Sequence, residues 1–399
     1  MSERRNFVRL LGGGIVVAAG ATAFATWWLN DEVPAAALEA WQGPRGERDP
    51  RRRAIAYAVT APTAYNAQPW VVDLREPDAI VLFCDRGRLH LESDPFGRQA
   101  LIGHGAFIEL LVMALAQHGL RAVVQLWPQG EPGRDPRHWH DLPVARLRLS
   151  DGGAPDPLFA HVLRRRTPRQ RFDTGRAVSS EVLQGLDAAV PAHGVVQSGG
   201  TVDPARVRPL RRLCMAAARL EISTPGTGLE NLRQQRIGPR EILAHRDGLA
   251  VNEPALRLAA ALGQLDRSTP APEDSGWFRQ MLGMHEEQAA TAMGFVWLST
   301  RGNSRTEQIE AGRAFVRQQL HATGLGLGMQ PMSQPLEEFA EMAPHRAAAH
   351  DMLLGGPLPA CDARRAGAGA TLQMICRVGY PMAPVPPAPR RPLQSFVRA

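Results

Sequence analysis

From residue 50 onward, the apolar positions recur with two periods. Asp49 reads as a helix N-cap with Pro50 at the first helical position. Ile55 and Val59 follow at helical spacing, and Pro62 ends the run. Residues 70–74 and 79–84 then read as two strands around a polar turn. The stretch 102–118 predicts a helix that is apolar on nearly all sides, which places it in a core or an internal interface. Gly119 is its expected C-cap, and strands are predicted over 121–127 and 144–149. Short helices are predicted over 158–164 and from Ser179, followed by one over 204–220 that is Arg-rich outside and Leu/Met/Ala inside. Residues 294–300 predict a buried strand. Ser304 and Glu307 form a capping box that opens an amphipathic helix through Ile309, Phe315, Val316 and Leu320. A helix over 337–354, a strand over 372–378 and a Pro-rich tail complete the pattern. Residues 221–288 give mixed periodicity with Pro/Gly punctuation, the pattern of a lid or an insertion.

Ahead of residue 50 the pattern changes. Arg4-Arg5 is followed by Phe7-Val8, then by an uncharged run over 10–29 rich in Gly and Ala. This is the pattern of a twin-arginine export signal, and the run is close to the ~20 residues that cross a bilayer. Two outcomes stay open. One is cleavage after Ala23 or Ala25; the other is a retained anchor with Trp27 and Trp28 at the far interface. The expectation is a periplasmic or otherwise extracytoplasmic protein that uses the Tat translocase. Residues 31–49 are expected as a linker.

Composition narrows the picture. A chain of 399 residues suits two halves that share a core, here 50–150 and 151–399, divided by the polar seam 151–156. Net charge is +7 with a pI near 10.1, and every basic residue is Arg. The arginines are scattered, aromatic content is 6%, and no nucleic-acid motif occurs, so no nucleic-acid partner is expected. The four cysteines form no C-x-x-C pair and read as buried thiols. His138 and His140 lack a nearby third ligand, so no metal is expected.

Three patches carry candidate chemistry. The first is the loop 61–70, shaped by Pro62 and Pro69, with small Thr63 and Ala64 and with Asn66. The Asn66 amide offers a donor and an acceptor in one plane, which matches a ligand edge that alternates N–H and C=O. The second is Arg165, Arg166, Thr167 and Arg169, three guanidinium groups and a hydroxyl able to hold a phosphate dianion. The third is 329–334, with Pro331, Met332 and Ser333, together with the distant Arg390-Arg391.

The loop string Pro62-Thr-Ala-Tyr-Asn66-Ala-Gln-Pro-Trp70 resembles the P-S-S-x-N-x-Q-P-W loop of the nitroreductase superfamily of FMN-binding oxidoreductases. With R-R-T-x-R at 165–169, S-Q-P-L-E at 333–337 and R-V-G-Y-P at 377–381, the layout resembles the Acg family, over roughly residues 50–395. The order of the motifs, loop before arginines, implies two fused subunits. In that reading the first half has lost its arginine motif, Arg51-Arg52-Arg53 running into a helix. The second has lost its loop, 192–197 standing in its place.

The resemblance implies an α+β, nitroreductase-like fold: two fused halves forming an internal pseudo-dimer, with central antiparallel sheets flanked by helices. It implies bound FMN, contacted by Pro62, Thr63, Ala64, Asn66, Arg165, Arg166, Thr167, Arg169, Pro331, Met332, Ser333, Arg390 and Arg391. A small-molecule electron acceptor, a quinone or nitro compound, would stack near Met332, Ser333 and Gln334, with no obligatory protein acid or nucleophile. The donor is NAD(P)H or, outside the cytoplasm, a quinol or membrane partner. A monomer is expected because the pseudo-dimer is internal. Thr63 and Ala64 depart from the usual serines, and with no Lys present Arg169 is the cation for the flavin edge. Two rivals remain: an exported protein that holds flavin without turnover, and a ligand-free structural protein.

Overall fold

The computed structural model describes residues 33–139, 142–191, 194–263, 266–355 and 370–398. The twin-arginine pattern, the hydrophobic run after it, His140, Ala192-His193 and Cys361 lie outside the described residues.

The first half of the chain forms α1 (Pro50–Ala58), β1 (Trp70–Asp73), β2 (Ala79–Cys84), α2 (Arg98–Ala116), β3 (Leu120–Leu126) and β4 (Pro143–Asp151). Its sheet runs β1-β2-β4-β3, with every neighbouring pair antiparallel. The second half opens with α3 (Ser180–Ala188) and β5 (Val196–Thr201). A large insertion follows: α4 (Pro204–Ser223), α5 (Pro225–Gln234), β6 (Gln235–Ile237), α6 (Gly238–His245), β7 (Leu249–Val251), α7 (Pro254–Ala261) and α8 (Gly276–Ala290). The second half then resumes with β8 (Gly294–Thr300), α9 (Arg305–Gly324), β9 (Gly328–Pro331), α10 (Ala343–Leu354) and β10 (Thr371–Gly379). Its sheet is antiparallel and runs β5-β8-β10-β9.

The two sheets are therefore built by the same route: two strands, a long helix, two strands, with the last strand inserted beside the second. The insertion occupies the position of the short turn between β1 and β2. Finally β11 (Val397–Arg398), at the end of the chain, joins the first half's sheet parallel to β1.

The two long helices cross at glycines. A Cβ on Gly105 of α2 would lie 2.0 Å from the Ile309 carbonyl oxygen of α9. A Cβ on Gly312 of α9 would lie 1.9 Å from the Ile102 carbonyl oxygen of α2. Each glycine stands seven residues into its helix, and each carbonyl belongs to the residue four into the other. The contact is thus reciprocal, as across a two-fold axis.

The helix starts repeat it. Arg98, first residue of α2, is buried and donates to the Gln373 and Leu336 carbonyls of the second half, at 2.7 and 2.8 Å. Arg305, first residue of α9, is buried and donates to the Gly133 and Arg134 carbonyls of the first half, at 3.1 and 2.8 Å. α2 is long and apolar enough to cross a bilayer, but 89% of that window is buried within the protein, as its all-round apolar pattern predicts.

Local signals explain most boundaries. The Asp49 side chain accepts from Arg51 N, with Pro50 at N1, and the Ser304–Glu307 capping box forms. Three expectations change. Residues 31–49 are not a bare linker: Ala35–Gln42 forms a 3-10 helix, and Trp41 is buried. The helix expected from residue 337 begins at Ala343, because Pro335 and a second 3-10 turn (Ala340–Met342) precede it. The insertion is wider than 221–288, since α4 already belongs to it.

The glycine crossing generates a prediction. Gly312→Ala puts a methyl into the α2 backbone, and overpacking of this kind destabilises by about 1–3 kcal/mol. A chemical-denaturation midpoint within error of the native value for both Gly312→Ala and Gly105→Ala would show that the helices do not meet as described.

Candidate functional site

The loop 62–69 has an unusual backbone. Tyr65, Asn66 and Gln68 all have positive φ (47°, 54° and 52°), a region that non-glycine residues rarely enter. Such strain persists only where surrounding contacts over-determine it. Here Thr63 Oγ1 accepts from Gln68 N at 3.1 Å, and the Thr63 methyl packs over Gly103 of α2. The Gln68 side chain is fully buried and bridges the Asn66 and Arg246 carbonyls to the backbone N–H of Arg391.

Behind the loop, the carbonyl of Thr60 gathers the arginines. It accepts from Arg165 Nη2 at 2.6 Å and from Arg390 Nη2 at 3.0 Å. Arg165 also donates to Gln319 Oε1 at 3.0 Å and to Thr167 Oγ1 at 3.4 Å, while Arg390 donates to Asn66 Oδ1 at 2.7 Å. Arg165, Arg166 and Arg390 surround one indole, with guanidinium carbons 5.3, 4.3 and 5.0 Å from the Trp41 ring. Among the described residues no carboxylate forms an ion pair with any of the three. The Nε atoms of Arg165 and Arg390 are buried without a hydrogen-bond partner. Burial, and then their mutual repulsion, lowers the pKa of Arg165 and brings Arg390 to about 9. Buried cations without counter-charge are costly, and an anion with several oxygens is the ligand that relieves them.

Arg169 faces the other side of the loop. It is solvent-exposed by area, yet burial among surrounding atoms lowers its pKa and the neighbouring Tyr65 acts against that shift. His285 of α8, held near pKa 4 by burial and then by Arg169 and Arg377, belongs to the same neighbourhood.

Tyr65 reaches the insertion. Its hydroxyl donates to Glu221 Oε1 at the end of α4, and that oxygen also accepts from Asn231 Nδ2 of α5 at 3.0 Å. Glu221 and Glu337 are both buried, and each has an Oε2 without a partner. Burial raises the pKa of both, and Glu221 raises that of Glu337 further. Two measured recesses lie elsewhere. One of about 220 Å³ borders β2 and Trp139, and one of about 420 Å³ lies between α4 and α8.

The predicted residues thus divide. The fold brings Asn66, Arg165, Arg166, Thr167 and Arg390 together, and sets Pro62, Thr63 and Ala64 beside them in the same loop. The Asn66 amide is not free, however: Nδ2 donates to the Pro389 and Gly248 carbonyls while Oδ1 holds Arg390. Arg391 pins the tail, donating to the Gln68 carbonyl at 3.1 Å. Met332 is buried in an apolar cluster with Trp297 and Leu336. The Ser333 hydroxyl is tied to the Ile375 backbone as donor and acceptor, and Pro331 pairs with Cys376 in the sheet. Trp41, Thr60, Tyr65, Gln319 and Glu221 complete the site and were not predicted. An indole 124 residues ahead of the arginines carries no local signal of its partner.

No protein-family model matches the chain. Sequence relatives do. The protein named putative NAD(P)H nitroreductase Rv3131, from Mycobacterium tuberculosis, is 29% identical over 359 residues, 87% of this chain and 90% of that protein. Putative NAD(P)H nitroreductase acg of the same organism is 34% identical over 87 residues, 22% of this chain and 25% of that one. The chain is a homologue of these nitroreductase-named proteins. Solved structures align more loosely. The FMN-dependent nitroreductase NfnB of Mycobacterium smegmatis in complex with NADPH has a TM-score of 0.35 at 19% identity, covering 59% of this chain and 94% of that one. Iodotyrosine deiodinase bound to FMN and 3-iodo-L-tyrosine has a TM-score of 0.33, also at 19% identity, covering 59% and 95%.

The acid pair in this nitroreductase homologue sets a stability trend. A carboxyl whose folded pKa is raised stabilises most below the ordinary carboxyl range, and the contribution is lost as pH rises through the folded pKa. Glu337→Gln keeps the neutral form at all pH values. The variant is expected to be more stable than the native protein at pH ~8, with the gap closing towards pH ~4. Urea midpoints at the two pH values check this, and a gap of the opposite sign at pH ~8 contradicts it.

Proposed function

We propose that the protein is an FMN-dependent oxidoreductase that passes two electrons to a small acceptor such as a quinone or nitro compound. One observation carries the reading: buried Arg165 and Arg390 and half-buried Arg166 gather around Trp41 beside the strained loop, with no ion-paired carboxylate among the described residues. The donor set fits a phosphate monoester. Arg165 and Arg390 have unpaired buried Nε–H groups, and Thr167 adds a hydroxyl within reach of Arg165. When bound, the flavin would supply the redox chemistry. The chain's part is to neutralise the phosphate, to fix the loop against α2 through Thr63 and Gln68, and to set Arg169 near Tyr65 as a positive charge. The names of the homologues favour NAD(P)H as donor; the hydrophobic run at 10–29 favours a quinol, if that run targets the chain to a membrane.

We also infer that the chain is two fused subunits. The equal strand orders and the reciprocal Gly105–Gly312 crossing support this, as does the crossover of β11 into the first sheet. By its Arg4-Arg5 pattern we place the protein outside the cytoplasm.

Natively purified protein should be yellow, release FMN on heating, and be reduced by NADPH or a quinol before turning over a quinone or nitro acceptor. Arg165→Ala should weaken FMN binding by about 30-fold or more, since truncating one member of a buried charged contact costs on the order of 2 kcal/mol. A colourless preparation that FMN does not stabilise against heat overturns the reading. A flavin that is reduced but passes electrons to no acceptor leaves a flavin-holding protein instead.

A further inference from the structure

The Tyr65–Glu221–Glu337 cluster lies where the insertion meets the loop. We propose that it is a resident proton store: Glu221, through the Tyr65 hydroxyl, supplies the proton that the acceptor takes up as it is reduced. This rests on the oxidoreductase reading for its acceptor, and on the geometry alone for the store.

The arrangement is specific. Tyr65 is held at φ 47°, and in that conformation its hydroxyl meets Glu221. Glu221 is 1% exposed and Glu337 is 5% exposed, and each keeps one carboxyl oxygen without a partner. Two carboxyls buried together do not both ionise, so a proton stays in the pair at neutral pH. The groups that face the pair confirm the sign. Glu230 and Asp94 disfavour ionisation of Glu337 and Arg98 favours it, while at Glu221 burial outweighs the hydrogen bonds from Tyr65, Asn231 and Gln334 that favour its charged form. Burial brings Asp94 itself to about 6. Tyr65 is held neutral by burial and then by Glu221 and Glu337, so it acts as a relay and not as an anion. His90, whose ring meets Tyr65 edge-on at 4.7 Å, is held near pKa 4 by burial and then by Arg236, and so brings no charge. Arg169 is close enough to Tyr65 for the two to interact electrostatically.

The step balances. A two-electron acceptor gains two electrons and two protons. A bound reduced flavin would supply the electrons with one proton, as a hydride equivalent. For delivery the Tyr65 hydroxyl would turn its hydrogen from Glu221 towards the acceptor, and the Glu221 carboxyl, becoming the donor of their hydrogen bond, would reprotonate the Tyr65 oxygen. Glu221 is left as a carboxylate and is refilled from solvent before the next turnover.

Infrared spectra of the natively purified full-length protein in H2O and D2O test the store without turnover. A protonated-carboxyl band that shifts in D2O at neutral pH, lost in Glu221→Gln or Glu337→Gln and shifted in Tyr65→Phe, supports it; no such band overturns it. Single-turnover acceptor reduction by pre-reduced holoprotein tests delivery. Tyr65→Phe and Glu221→Gln should slow this step by about 10²-fold, the usual worth of a positioned acid, and flatten its pH profile. Flavin reduction by the donor should slow by a smaller factor than acceptor reduction. Tyr65→Phe was chosen because it removes one hydroxyl and no packing, so a fold defect does not confuse it. A native rate and pH profile in Tyr65→Phe overturns delivery even if the band is present. A colourless protein with the band intact overturns the flavin reading and leaves the store standing.

Discussion

Two helix backbones in direct contact set the frame. α2 and α9 touch where Gly105 meets Gly312, and neither helix can carry a side chain there. Each helix is the central element of its own half, connecting that half's first two strands to its last two. Fixing the crossing therefore fixes both sheets relative to each other. The buried Arg98 and Arg305 then tie each helix start to the opposite half. The site is assembled across this frame. Thr60, Tyr65 and Asn66 come from the first half, Arg165 and Gln319 from the second, and Arg390 from the tail.

Charge follows the same division. On one side of the strained loop, guanidinium groups crowd against Trp41, and among the described residues no carboxylate is ion-paired with them. On the other, carboxyls crowd against Tyr65 with Arg98 as their main cation. Either cluster alone would be a stability liability.

Much of this was legible in the chain, for physical reasons that differ by element. Asp49-Pro50, Ser304–Glu307 and the all-round apolar run of α2 carry local signals, and the structure follows them. The grouping of the Pro62–Pro69 loop with Arg165 and Arg390 was readable only as a family resemblance. What failed was local in another sense. β5 reads VQSGGT, without apolar alternation, and β11 has two residues, so periodicity could not reveal either. Met332 and Ser333 sit in a motif, but the sheet claims them for packing and backbone bonds. Asn66 was credited with a ligand-facing amide, whereas Arg390 and two carbonyls engage it. Trp41 and Glu221 were missed because their meaning lies in partners far along the chain.

The crossover of β11 bears on how the protein is made. β1 cannot complete its parallel edge until Val397 and Arg398, far later in the chain than their partners Val72 and Asp73, leave the ribosome. Arg390, which joins Asn66 to Thr60, emerges only slightly earlier. During most of translation the amino-terminal sheet therefore waits with an open edge and an unlatched loop. Emergence of the 390–398 segment, and not of the first half alone, is the event that closes this edge and latches the loop.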